Sequence, residues 1–390
     1  MIEKIISVLA SPLSYIIIIS VVITVHELGH YLVGRFFGAA VESFSLGFGK
    51  SVVETTDNRG TRWRVNWLPF GGFVKFAGEL QTPNDEAGPK GENQPAALTG
   101  LPYGQLNPWK RLAVSLGGPA ANLVFAIVIF AGFAMTLGVP QSSAVRVTGI
   151  APEMPAAAAG FEVGDVLLRA GDRPVMTTND IQRATMLSAG EPVKFLVSRD
   201  GREIELQATP QETVERNEAM KITAKVGRIG LQVASADMEV RRYDPASALA
   251  YGVQSVGNTV MDTINVLRRL VTKFQDMDKL SGPFGIFYIT DNVTDYQMQQ
   301  TQIDLGERML RVTISLIEIS ALLSIGVAIF NLLPIPVLDG GAAILCVAEG
   351  ITGKSVPEAV HRVGLTIGLA CLVSFALVVT WYDVARWLEG

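Results

Sequence analysis

The sequence predicts a polytopic α-helical membrane protein of about four transmembrane helices. A membrane-associated β-hairpin region and an inserted extracytoplasmic α+β domain complete the expected fold class. Three observations predict it. Of the 390 residues, 49% are hydrophobic and only 18% charged, and the mean hydropathy is +0.33, too apolar for an average soluble chain. That character is concentrated in four runs, about 12–34, 112–138, 312–334 and 363–383, each near the roughly 20 residues that cross a bilayer core. Between the second and third runs, strand-like alternation and turn signals take over. The net charge of −5 and a pI near 5.4 argue against nucleic acid as a partner.

The first run, Tyr15–Val25, leads directly into His26-Glu27-Leu28-Gly29-His30. Residues four apart share a helix face, so His26 and His30 can converge on one Zn²⁺ at roughly 2.0–2.1 Å. Glu27 can reach a water held there and is the natural general base for hydrolysis. Ionisable residues inside a membrane are expensive and usually functional. The chain has only three histidines, and two of them are here. The plain alternative is a chance motif whose rings are core or surface residues. No small-residue cleavage site follows the apolar run, which reads as a retained span rather than a removed signal peptide.

The segment 35–111 holds Arg35, Lys50, Arg59, Arg62, Arg64, Lys75, Lys90, Lys110 and Arg111, against Lys4 alone before the first span. The positive-inside rule places it in the cytoplasm, which leaves both termini and the block 139–311 outside. Val41–Gly49 and Arg62–Trp67 alternate with the strand period, punctuated by Pro69, Gly71 and Gly72. They predict β-hairpins dipping toward the membrane beside the histidines, where backbone must be buried in protein or border water. Gly71 and Gly72 lie on the edge that an extended substrate would join; an ordinary cytoplasmic sheet is the alternative. Residues 81–107, rich in Pro, Gly, Asn and Gln, read as a mobile loop.

The second span opens with Asn107-Pro108-Trp109-Lys110-Arg111, an interfacial anchor, and carries Gly117-Gly118-Pro119-Ala120-Ala121-Asn122. Small residues allow close helix approach, and Asn122 needs a polar partner within the membrane. A simple kink at Gly-Gly-Pro is the alternative.

From Val145 the composition becomes soluble. Strands are expected at Val145–Ile150, Phe161–Val175, 192–199 and 202–209, with helices at Pro155–Gly160 and Thr178–Ser188. This order, with Ala159-Gly160-Phe161 and Gly164-Asp165-Val166-Leu167-Leu168, resembles a PDZ domain, a fold that binds extended peptides at a sheet edge. No Gly-rich carboxylate-binding loop precedes Val145, and steric filtering of substrates is an equal alternative. Residues 211–237 finish or link this domain, with Gly227–Val233 as a last strand. The region 238–311 contains an amphipathic helix from Asp244-Pro245, with Leu249, Val253, Val256, Val260, Ile264, Leu267 and Val271 on one face. It suits the outer membrane surface or a neighbouring domain. Ser281–Ile286 reads as a turn. Cys346 and Cys371 sit in apolar runs without metal spacing and read as packing residues.

The third span ends in Phe330-Asn331-Leu332-Leu333-Pro334-Ile335-Pro336-Val337-Leu338-Asp339-Gly340-Gly341. Pro334 and Pro336 interrupt the helix and leave unpaired carbonyls that can serve metal or substrate. Asp339 lies at the depth expected for His30 and is nominated as third metal ligand, with Glu42 and Glu54 as competitors. Glu318 and His361 read as interface residues.

These motifs together resemble the site-2 protease family, most closely its bacterial regulator-of-sigma-E branch. The resemblance spans nearly the whole chain through His26–His30, Leu46-Gly47-Phe48-Gly49, Pro69-Phe70-Gly71-Gly72-Phe73, Gly118–Asn122, Ser281-Gly282-Pro283 and Asn331–Gly340. It implies a zinc protease of the bacterial inner membrane that cuts single-span membrane proteins, such as anti-sigma factors or signal-peptide remnants, within or near the bilayer. It implies one Zn²⁺ per chain held by His26, His30 and Asp339, with Glu27 as base and Asn331 as a substrate-positioning residue. The active site would face the cytoplasmic side, and one PDZ-like domain fits between 145 and 237. The expected division is thus 1–138 and 312–390 in the membrane, 139–237 PDZ-like, and 238–311 helical and extracytoplasmic. Two other classes remain: a non-catalytic, metal-stabilised scaffold that recruits peptides, and a metal transporter. The acid beside His26 argues against the first, and the lack of a ladder of ligands against the second.

Overall fold

The computed structural model describes residues 2–78, 98–186, 188–217, 222–273, 283–300 and 302–389. The chain forms two compact units. The first comprises Met1–Ile129, Ser255–Thr263 and Ser281–Trp381; the second comprises Phe130–Gln254, Ile264–Leu280 and Tyr382–Gly390.

In the first unit, helix α1 (Ile2–Phe36) carries the histidine motif, and α2 (Pro108–Thr136) crosses it. Four helical stretches are long and apolar enough to span a membrane: Leu13–Phe36, Pro108–Thr136, Leu305–Asn331 and Arg362–Ala385. They match the four expected runs. The third is displaced, because the helix begins at an Asp304 cap, whose side chain accepts from the Glu307 amide, and stops at Asn331 ahead of Pro334. The crossing of α1 and α2 depends on small residues. A Cβ at Gly117 would lie 2.8 Å from the Gly29 carbonyl oxygen and 3.0 Å from Val33 Cγ2, so two backbones meet where any side chain would separate them.

Strands β1 (Val41–Thr56) and β2 (Arg62–Phe76) form a two-stranded antiparallel sheet that folds over on itself. Ser43–Leu46 lies opposite Gly72–Lys75 on one side and opposite Arg62–Val65 on the other, while Val53–Thr56 also pairs with Arg62–Val65. The extended conformation runs on through Pro69, Gly71 and Gly72 instead of breaking there. Phe44 stacks obliquely on Trp63 at 4.7 Å, and Tyr31 of α1 packs edge-on against both rings. Most of the expected 81–107 loop lies outside the described residues; Leu101 bridges to Ala39, and Tyr103–Gln105 forms a short 3-10 turn.

In the second unit, β3 (Val139–Ile150), α3 (Pro155–Ala158), β4 (Val166–Ala170), β5 (Arg173–Pro174), α4 (Thr178–Met186), β6 (Val193–Arg199) and β7 (Arg202–Ala208) follow the expected order. Residues 211–237, expected to finish or link the domain, form a hairpin of β8 (Gln211–Asn217) and β9 (Ile222–Arg228) and then β10 (Leu231–Arg241), so the expected last strand Gly227–Val233 is broken at Gly230. The main sheet has the strand order β10-β3-β4-β6-β7, with β5 beside β4. Its two edge strands are therefore β7 and β10, the latter entered through Gly230 at φ +83°. Val145, Val147, Phe161, Leu167, Phe195 and Val197 form the core, each large side chain contributing about 1.5–3 kcal/mol. At the rim, Arg199 clamps the buried Asp165 carboxylate through Nε at 2.7 Å and Nη2 at 2.8 Å.

Helix α5 (Pro245–Lys273) starts as expected, with Asp244 Oδ1 accepting from the Ala246 and Ser247 amides. Leu249, Val253 and Ile264 on its apolar face are exposed, and Val256 is buried. Helix α6 (Pro283–Met298) begins inside the expected Ser281–Ile286 turn, whose first two residues lie outside the described residues. It packs against α1, with Phe287 edge-on to Tyr15 at 5.5 Å. Helices α7 (Leu305–Asn331), α8 (Asp339–Thr352) and α9 (Glu358–Glu389) complete the chain. Cys346 of α8 is buried as read, whereas Cys371 of α9 is exposed, which corrects its packing role. A buried side chain is not needed there because α9 presents that face outward.

Candidate metal centre

Three elements bring the chemistry together. Helix α1 supplies His26, Glu27 and His30 from about 1.1 turns. Helix α8 supplies Asp339 from its first turn, where the helix N-terminus favours a carboxylate. Helix α2 closes the back of the site. What holds Asp339 in place is the tight loop before it: a Cβ on Gly341 would strike the Ile335 carbonyl, and one on Gly340 the Leu332 and Leu333 carbonyls. Ser115 of α2 donates to the Asp339 carbonyl at 2.8 Å.

The donor atoms cluster closely, with a different Asp339 oxygen facing each imidazole. His26 Nε2 lies 3.1 Å from His30 Nε2 and 3.1 Å from Asp339 Oδ2, and His30 Nε2 lies 3.3 Å from Asp339 Oδ1. A tetrahedral Zn²⁺ with bonds of about 2.0–2.1 Å separates its donors by about 3.3–3.4 Å. Two imidazoles and one carboxylate at this spacing therefore suit one such cation, with a fourth position left for reactants. Two further observations agree. Asp339 Oδ2 is buried without a hydrogen-bond donor. A Cβ at Gly118 would collide with His30 Nε2 and lie 2.8 Å from His26 Nε2 and Cε1, so glycine keeps that hollow open. Among the described residues this is the one cluster of at least three His, Cys, Asp or Glu able to hold a metal ion.

The model of peptidase family M50 matches residues 14–375. The chain belongs to that family. It is 34% identical over 384 residues to the metalloprotease MmpA of Caulobacter vibrioides, covering 96% of this chain and 95% of the relative. Proteins of Brucella suis and Agrobacterium fabrum named as zinc metalloproteases are each 32% identical, covering 95% of this chain and 94% of their own length. With the four apolar helices, M50 membership makes the chain an integral membrane protein of the zinc metalloprotease class.

Within this M50 chain the expected ligand candidates separate cleanly. Asp339 reaches the histidine pair, whereas Glu42 pairs with Lys75 at 3.5 Å and Glu54 with Arg64 at 3.2 Å on the sheet. The Glu27 carboxylate accepts from the Val74 amide at 3.1 Å, which ties the candidate base to β2. A Cβ on Gly72 would sit 3.8 Å from Glu27 Cγ, so this glycine lies along the stem of the acid. Gly71, at φ +83°, faces the Phe48 ring instead. Asn331 is the last residue of α7 and half-buried, and Pro334 is exposed. Pro336 packs toward α9, where Cβ atoms on Gly364 and Gly368 would come within 3.5 and 3.3 Å of it. The five candidate substrate residues thus fall in separate places around the donor cluster. The side chain of His361 lies outside the described residues; Glu318 is exposed on α7.

Sequence reasoning missed Val114, Val74 and Ser115. The Val114 carbonyl lies 2.8 Å from His30 Nδ1. Two of the three act through backbone groups, which every residue carries, so no residue type announces them.

Proposed function

We propose that this M50 chain is a zinc-dependent intramembrane protease of the site-2 type, cutting single-span membrane proteins such as anti-sigma factors or signal-peptide remnants. His26, His30 and Asp339 hold the zinc and Glu27 is the general base. The observation that carries this reading is the gathering of His26, His30 and Asp339 donors at 3.1–3.3 Å contacts with Glu27 one residue from a ligand. Zinc held by these three residues would supply Lewis-acid polarisation of a carbonyl and a water acidified to a pKa of about 7. Glu27 takes the proton of the attacking water on its carboxylate and returns it to the leaving amine. The Val74 amide orients that carboxylate while one oxygen remains available for the proton.

A helical substrate shields its carbonyls and must unwind before it can be cut. Its freed backbone groups then need partners inside the membrane. The β1/β2 sheet, with Gly72 beside Glu27 and Gly71 next to it in β2, supplies an extended edge for strand addition, and Asn331, Pro334 and Pro336 belong to the helix interruption between α7 and α8 past which the substrate would run. The sheet built on β3–β10 acts as an extracytoplasmic PDZ-like domain whose edge strand β10 receives or filters the trimmed outer end of the substrate. Both termini share that outer side, and the site opens toward the cytoplasm of a bacterial inner membrane.

The deciding experiment is Glu27→Gln in detergent-solubilised full-length protein with a single-span model peptide. Zinc content stays at one per chain and cleavage falls by about 10²–10⁴-fold, the usual contribution of a positioned base. Undiminished cleavage rejects the assigned base. Retained zinc with no cleavage by the unsubstituted protein, across varied single-span peptides, favours the metal-stabilised scaffold instead.

A further inference from the structure

We infer that Asn122 is a positioning residue that accepts the Nδ1 proton of His26, leaving His26 Nε2 with a lone pair for the cation. The inference rests on the zinc reading above. Val114, Gly118 and Asn122 follow one another at intervals of four in α2 and so line one side of the helix. Gly118 leaves the hollow between the imidazoles, and its two neighbours reach the ring nitrogens on the far side.

For His30 the chemistry has one solution. Its Nδ1 lies 2.8 Å from the Val114 carbonyl, which can only accept. The proton therefore sits on Nδ1, and Nε2 is free to bind metal. His26 has no backbone carbonyl in that position; it has the Asn122 side-chain amide, 3.3 Å from Nδ1. Asn122 is fully buried at 0% exposure. With the amide nitrogen turned to the ring, its oxygen has no hydrogen-bond partner, a costly state within a membrane. That orientation also forces the ring proton onto Nε2, into the 3.1 Å gaps to His30 Nε2 and Asp339 Oδ2 where a ligand needs a lone pair.

Turning the amide over exchanges nitrogen and oxygen with little change in heavy-atom positions. The oxygen then accepts from Nδ1–H, as partners of metal-binding histidines usually do. Ser324 of α7 donates to the Asn122 backbone carbonyl at 3.1 Å and steadies this stretch of α2. One imidazole is thus oriented by backbone, beyond the reach of substitution, and the other by a replaceable side chain.

Two measurements test this. The first is zinc affinity by chelator competition on full-length protein in detergent. Asn122→Leu, of similar size but without an acceptor, should bind about 10–100-fold more weakly. Asn122→Asp, which can only accept, should stay within about threefold of the unsubstituted protein. A leucine variant with undiminished affinity, or an aspartate variant as weak as leucine, overturns the inference. The second needs no substitution and covers a variant that fails to fold. The protein has three histidines, so ¹⁵N-histidine NMR of the ¹¹³Cd²⁺-loaded chain can follow each ring. Two rings should couple to cadmium through Nε2 with a proton retained on Nδ1. Coupling of the His26 ring through Nδ1 overturns the inference alone, and no coupled ring overturns it together with the metal reading.

Discussion

Adding one methyl group at Gly118 should weaken metal binding without unfolding the protein. The built Cβ of Gly118→Ala stands 2.8 Å from His26 Cε1 and Nε2 and collides with His30 Nε2. Ordinary van der Waals contact starts near 3.4 Å, so the shortfall is about 0.6 Å at His26 and greater at His30. Metal–donor distances tolerate only about 0.2 Å, and the rings must turn or α2 must retreat by several times that. Overpacking on this scale costs about 1–3 kcal/mol. Taken up in the zinc-bound state, it lowers affinity about 5–150-fold. The assay is chelator competition on detergent-solubilised protein, with helical content by circular dichroism as the check on folding. Gly132→Ala, also on α2 but with nothing within 4 Å of the new Cβ, is the neutral control. Gly117→Ala, whose Cβ meets Gly29 and Val33 and none of the ring atoms, separates a general loosening of the helix crossing from blockage of the site. If Gly118→Ala binds zinc as tightly as Gly132→Ala does, the hollow is not where the cation sits.

Asp339→Asn should lose zinc by at least about tenfold in affinity while Glu42→Gln and Glu54→Gln do not, because only the first touches the histidines; equal losses in all three would refute the ligand set. Gly341→Ala should lower zinc affinity without touching a ligand, by pushing Asp339 away from the Ile335 carbonyl that its Cβ would strike, read by the same competition assay. In the β3–β10 sheet, hydrogen bonds from Arg199 hold the Asp165 carboxyl below its ordinary pKa. A carboxyl lowered in the folded state contributes stability that is full above the unfolded value of about 3.9 and lost as pH falls through the folded value. Asp165→Asn should therefore destabilise this unit by about 1.5–3 kcal/mol near neutral pH. The deficit should shrink below about pH 4. Limited proteolysis of the full chain at both pH values measures it, and a deficit independent of pH would contradict the pairing.

Local periodicities made much of this protein legible. Four apolar runs appear as four helices because spanning length is a property of consecutive residues. The His26/His30 pairing follows from the four-residue spacing alone. Alternation marked Val41–Gly49 and Arg62–Trp67 as strands, yet it gave no sign that Ser43–Leu46 would have partners on both sides. The β8/β9 hairpin was illegible for a related reason: its polar residues look like linker until pairing satisfies their backbones. Asn122 was recognisable as needing a partner, and only the crossing of α1 and α2 decided that the partner is His26.

By itself, then, the sequence determined the membrane class, the two imidazoles on one face and the acid beside them, since each is written in residues a few positions apart. Tertiary structure decided which carboxylate joins the histidine pair, that Gly118 is a hollow, and that backbone groups of Val74 and Val114 steer Glu27 and His30. Those choices depend on how closely helices distant in sequence can approach. That distance is set by the joint fit of Gly29, Gly117, Gly340 and Gly341 to facing backbone, and no periodic pattern records it.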